Sequence, residues 1–219
     1  EELSLHYQPL ISLADGEIMG FEALLRWANP KLGFISPAEF IPIAEESNLI
    51  IPITEWILKE TTCQLAKWQN ISPNYKNLVV SVNISGKHIS QNGLVTAVRN
   101  SLEISRINPA TLKLEITEST AMEDAERTVK VLAELKKVGV QLSIDDFGTG
   151  YSSLSYLHSL PFDTLKIDRS FVYKVGENGE NSEVLQTIVS LAQNLRMKVI
   201  AEGIETENQL QLLRSLGCD

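Results

Sequence analysis

The sequence predicts an α/β fold in the form of a parallel barrel, and three observations carry that reading. Short β-branched or apolar runs alternate with segments of helical periodicity along the chain. Helix punctuation falls where a βα repeat requires it. A polar residue also recurs near the C-terminal end of one strand after another, on the side that a barrel turns inward. A chain of 219 residues, 43% of them hydrophobic, is long enough for one well-buried core, so a single domain over residues 1–219 is expected.

Taken in order, "LHYQPLISL" (5–13) and "IMGFEALLRW" (18–27) read as strands. Before "AEFIPIAEES", Ser36 reads as an N-cap and Pro37 as the first helical residue, and the acidic end at Glu45 to Ser47 reads as solvated. Residues 53–69 have helical periodicity, with Trp56 and Trp68 as packing residues. The strands "LVVSVNIS" (78–85) and "LKLEITE" (112–118) follow. A helix over residues 122–138 stops at Gly139, after Lys136 and Lys137 in its last turn. Next come "VQLSIDDF" (140–147) and "FDTLKID" (162–168), the polar loop "GENGEN" (176–181), a helix over 182–195 and the strand "KVIAEGIE" (198–205).

Bulk properties exclude several functions. A net charge of −9 disfavours duplex DNA or RNA and anionic lipid as partners, since both need a basic face. No run approaches the roughly 18 apolar residues of a membrane span, and residues 1–20 show no basic stretch followed by an apolar one, so direct membrane contact is not expected. Cys63 and Cys218 stand far apart with no metal-binding spacing, which fits a reducing, cytoplasmic setting. His6, His88 and His158 read as surface or satisfied-core residues.

Strand parity identifies the candidate site. Leu112, Leu114 and Ile116 face the helices, which turns Lys113, Glu115 and Thr117 inward; Val140, Leu142 and Ile144 likewise turn Gln141, Ser143 and Asp145 inward. The same rule brings in Asn83, Lys166, Glu202 and Glu22, the last sharing its side with Arg26. Any one acidic residue at a strand end is explained as a turn former or N-cap. Four carboxylates and an amide at one barrel end repel one another unless cations neutralise them, and active sites of this fold lie at that end. Oxygen donors without thiolate or histidine favour Mg²⁺ or Mn²⁺. A pair of such ions suits phosphodiester chemistry, and adjacent ions can share Asp145 and Asp146. Lys166 reads either as the cation beside the attacking water or as a structural partner for inward acids such as Asp168, and Arg26 as a phosphate fork.

Six ordered stretches, "EALLRW", "VNIS", "LEITES", "DDFGTGYSSL", "LKIDRSFV" and "AEGIE", resemble the EAL-domain phosphodiesterases that act on cyclic di-GMP, over essentially the whole chain. The resemblance implies a modified TIM (β/α)8 barrel with its first strand antiparallel to the others. It implies two-metal hydrolysis of cyclic di-GMP to linear pGpG, with Mg²⁺ or Mn²⁺. Glu22, Asn83, Glu115 and Asp145 would hold the first ion, and Asp145, Asp146 and Glu202 the second. Lys166 would contact the nucleophilic water and Glu202 assist its deprotonation. Gln8, Arg26 and Glu205 would serve substrate binding, and Glu118 would anchor a mobile loop at residues 147–153. A homodimer is implied as well.

Relative to that family pattern, the C-terminal strand and helix are missing after "LGCD". This leads to the expectation of a fragment of a larger signalling protein, with further sensory or GGDEF-type domains and a membrane anchor open to the parent. An exposed seam in the barrel is expected too. The alternative function is a catalytically silent cyclic di-GMP receptor; a phosphoesterase of other specificity is a third.

Overall fold

The computed structural model describes residues 2–149, 157–173 and 182–219. The loop at 176–181 and residues 150–153 of the loop expected to move lie outside the described residues.

One sheet of eight strands organises the chain. β1 (Leu3–Ile11) and β2 (Ile18–Asn29) pair antiparallel, and β3 (Gly33–Ile35) adds to the far end of β2. β4 (Val79–Asn83), β5 (Leu112–Thr117), β6 (Gln141–Phe147), β7 (Thr164–Ile167) and β8 (Lys198–Ala201) then continue in parallel from β2. The sheet curls into a TIM-like half-barrel with its first strand antiparallel to the second. β1 and β8 end the pairing path, and a cavity of about 430 Å³ between them is lined by Gln8, Leu10, Met19, Ile200 and Glu202.

The helices cover the outer face: α1 (Pro37–Glu46), α2 (Ile50–Gln69), α3 (Gly86–Ser90), α4 (Leu94–Ser105), α5 (Glu118–Glu123), α6 (Ala125–Val138), α7 (Arg169–Tyr173), α8 (Ser182–Asn194) and α9 (Glu207–Leu216). Val80, Val82, Leu112, Leu114, Ile116, Leu142, Ile144, Leu165 and Ile167 are the buried outward row of the parallel strands. Each such side chain contributes about 1.5–3 kcal/mol by leaving water. Parity is therefore strongly enforced, because a one-residue slip would expose the entire row.

Local chemistry sets the boundaries. Gly139 closes α6 at φ 101°, a left-handed cap that glycine adopts without strain. Ser36 and Pro37 stand at the expected start of α1, although the Ser36 hydroxyl makes no capping bond. The helix expected over 122–138 is two helices. Asp124 leaves the helical region at φ −135° and its carboxylate accepts from Arg127 N at 3.2 Å, ending α5 and capping α6. β3, α3, α4, α7 and α9 lie outside the sequence reading. α9 carries a legible signal, a capping box between Thr206 and Gln209, whereas α4 starts at Gly93 with no side-chain cap to announce it.

Candidate active site

Strands β2, β5, β6 and β7, with the residue after β8, bring five predicted residues together. Lys166 Nζ lies 2.6 Å from Glu115 Oε2, 2.7 Å from Glu202 Oε1, and 3.1 Å from both Glu22 Oε2 and Asp145 Oδ1. Asn83 joins through Glu22, its Nδ2 donating to Glu22 Oε1 at 2.8 Å. These positions follow from register: Asn83 stands beside Glu115, and Glu115 beside Ser143, two residues before Asp145. Lys166 pairs with this set and not with Asp168. β7 ends at Ile167, and the Asp168 carboxylate instead accepts from Ser170 N at 2.9 Å at the start of α7.

The electrostatics follow from burial and sharing. Lys166 is 1% exposed, and burial alone would lower its pKa. The carboxylates of Glu115, Glu22, Asp145 and Glu202 outweigh that penalty and raise it, so the ammonium stays charged. Burial pushes Glu115 and Glu202 upward while Lys166 pulls both back. Four carboxylates on one ammonium leave excess negative charge at the barrel mouth.

The aspartate doublet sits on a backbone irregularity. Ile144 pairs with Leu165 and Phe147 with Ile167, so β6 holds one more residue than β7 between those pairs, and Asp146 takes φ 53°. An inserted residue re-aims its neighbours. Burial and then the carboxylates of Asp145 and Asp168 raise the Asp146 pKa, against a downward pull from Lys166. Just beyond, Gly148 N donates to Glu118 Oε2 at 2.7 Å, and Glu118 is buried. Gly148 has φ 96°, and an added Cβ would lie 2.7 Å from the Phe171 ring.

Other predicted residues stand at the margin. Gln8 is opposite Glu22 in the β1–β2 register. Arg26 lies four residues along β2 and donates to Leu25 O at 2.9 Å. It borders a cavity of about 410 Å³ with Leu24, Asn83, Ile41, Glu45 and Ser85. Glu205 is exposed, and among the described residues no side-chain hydrogen bond or ion pair ties it to the cluster. Glu45 is a correction to the solvated-helix-end reading, since its Oε1 accepts from Ser85 Oγ at 2.5 Å. Sequence reasoning missed it because the partner is 40 residues away. Trp68 packs as expected, on Tyr7 and Phe21 with ring centroids 4.8 Å apart in each case.

Among the described residues no group of three or more His, Cys, Asp or Glu side chains stands ready to hold a metal ion. The donors nonetheless fit a hard divalent cation. All are oxygens, and among the described residues Glu115 Oε1 is buried without a hydrogen-bond partner, an unpaired oxygen that a cation would satisfy. The Glu202 side chain is 34% exposed, so the cluster is reachable from solvent. No helix among the described residues is long and apolar enough to cross a membrane.

Comparison with known proteins places the chain in a family. The family model described as EAL domain matches residues 1–219. The bifunctional diguanylate cyclase/cyclic di-GMP phosphodiesterase MucR of Pseudomonas aeruginosa is 44% identical over 218 residues, covering 100% of this chain and 32% of that protein. The cyclic di-GMP phosphodiesterase NbdA of the same organism is 41% identical over 219 residues, covering 100% and 28%. The chain thus spans less than a third of the length of either relative. The solved PaMucR phosphodiesterase–c-di-GMP complex superposes with a TM-score of 0.93 at 44% identity, covering 100% of this chain and 87% of that one.

Proposed function

This chain belongs to the EAL domain family, and from that premise we propose that it is a cyclic di-GMP phosphodiesterase that releases linear pGpG. The observation that carries this reading is the convergence of Glu22, Glu115, Asp145 and Glu202 on Lys166 at the C-terminal mouth of the sheet, where active sites of TIM-like folds lie.

Glu22, Asn83, Glu115, Asp145, Asp146 and Glu202 are the residues that would hold two Mg²⁺ or Mn²⁺ ions. When bound, such ions polarise a phosphodiester and ease deprotonation of water. The chain's own groups do the rest. Glu202, the most exposed carboxylate on Lys166, accepts a proton from the attacking water. The water oxygen bonds to phosphorus, one P–O bond to a ribose 3′ oxygen breaks, and that oxygen takes up a proton. Lys166 places a permanent positive charge beside the phosphate, and Arg26 and Gln8 flank it along β2 and β1. Glu118 holds the Gly148 backbone and so fixes the segment that carries Asp145 and Asp146.

The test is product formation. With Mg²⁺ or Mn²⁺ the protein should convert cyclic di-GMP to pGpG, and chelation should stop it; Ca²⁺ should support it poorly because its longer, irregular coordination misplaces the water. Glu202→Gln should lower turnover by about 10²–10⁴-fold while binding persists. Binding without turnover in the wild-type protein would replace the enzyme with a receptor.

A further inference from the structure

β1 and β2 run on past the carboxylate cluster as a two-stranded wall. Tyr7 and Phe21 pack on Trp68, and Trp27 on Phe40, so the odd-numbered residues of both strands face the helices. The even-numbered residues face the other way, as the Glu22 contact with Lys166 demonstrates. The antiparallel register then orders that face in three rows: Gln8 opposite Glu22, His6 opposite Leu24, and Ser4 opposite Arg26. Successive rows are about 7 Å apart along the strands, and partners within a row have Cβ atoms about 5 Å apart. His6 and Leu24 therefore occupy the step between the carboxylate that pairs with Lys166 and the guanidinium of Arg26.

His6 is exposed, and among the described residues it makes no side-chain hydrogen bond or ion pair. Leu24 beside it is half-buried; Leu24, Arg26 and Asn83, but not His6, line a cavity bounded on its far side by Ile41 and Glu45 of α1. An imidazole face next to an aliphatic side chain is a flat, weakly polar surface flanked by groups suited to phosphate. We propose that His6 is a substrate-contacting residue of this site, forming with Leu24 a platform on which a nucleobase of the substrate stacks. This rests on the reading of the substrate as a cyclic dinucleotide. It places one base against the β1–β2 wall while a phosphodiester lies at the carboxylate cluster. Stacking tolerates any base, so His6 contributes affinity and orientation, not the choice of guanine.

The test compares three variants by KM, kcat and equilibrium affinity for cyclic di-GMP. His6→Ala should raise KM and Kd about tenfold with kcat held within about twofold, as loss of one stacking surface predicts. His6→Phe retains a ring face without hydrogen-bonding atoms and should keep wild-type KM. His6→Asn retains polarity without the ring and should behave like the alanine variant. Unchanged KM and Kd in His6→Ala, or full rescue by asparagine alone, would overturn the stacking role while leaving the phosphodiesterase reading in place. A wild-type protein that neither binds nor hydrolyses cyclic di-GMP would remove both readings.

Discussion

Lys166 Nζ stands 2.6 Å from Glu115 Oε2 with both side chains sealed from solvent, their exposures being 1% and 0%. An ion pair so deeply buried survives only when each partner keeps the other, since an uncompensated charge in a core costs several kcal/mol. Lys166→Met leaves four carboxylates with no cation between them. Stability should drop by about 3–5 kcal/mol at neutral pH without divalent ions, and Mn²⁺ should restore part of it by standing in for the lost charge. Urea titrations with and without Mn²⁺ read both quantities. A variant as stable as wild type in metal-free buffer would refute the dependence.

Glu118 reaches from the start of α5 to the Gly148 backbone. Glu118→Ala should reduce turnover at least tenfold while the protein remains folded, because the segment behind Asp145 and Asp146 loses its brace. Glu118→Gln retains an acceptor oxygen and should recover most of the loss. If the charge served only the helix dipole, its removal would cost about 0.3–1 kcal/mol and leave turnover intact at moderate temperature.

Gly203, directly after Glu202, has φ 71°, and an added Cβ would lie 2.6 Å from Arg169 Cβ. Gly203→Ala must move the backbone next to a carboxylate held 2.7 Å from Lys166. The expected result is about 1–3 kcal/mol of lost stability together with a tenfold or larger fall in turnover. Thermal melts and pGpG release measured on one preparation check both. Wild-type turnover would show that the position of Glu202 does not depend on this glycine.

His88 on α3 is fully buried, and neither ring nitrogen has a hydrogen-bond partner among the described residues. Burial holds its pKa below the ordinary histidine range, against a weaker upward pull from Glu55. The folded protein keeps the ring neutral where the unfolded chain takes up a proton. That contribution to stability is present in full above about pH 6.5 and is lost as pH falls through the folded-state pKa. Between pH 7 and pH 5 the wild-type urea midpoint should fall more steeply than that of His88→Leu. Parallel pH profiles would show that His88 does not contribute to acid sensitivity.

The inward set Glu22, Asn83, Glu115, Asp145, Lys166 and Glu202 was legible in the sequence because alternation along a strand is a local property with period two, and the buried outward residues enforce it. The chain also announces Gly139 as a helix end, for a reason contained in one residue. What stayed hidden depends on distant partners. The alternation along β6 is interrupted at Asp146 because β6 gains a residue against β7, a mismatch invisible until those strands pair. Lys166 could have served Asp168, two residues on, but β7 ends first and Asp168 turns to Ser170. His6 gained its place opposite Leu24 from the antiparallel register of β1 on β2. Periodicity along one strand determines which side a residue faces; only pairing between strands determines what it meets there.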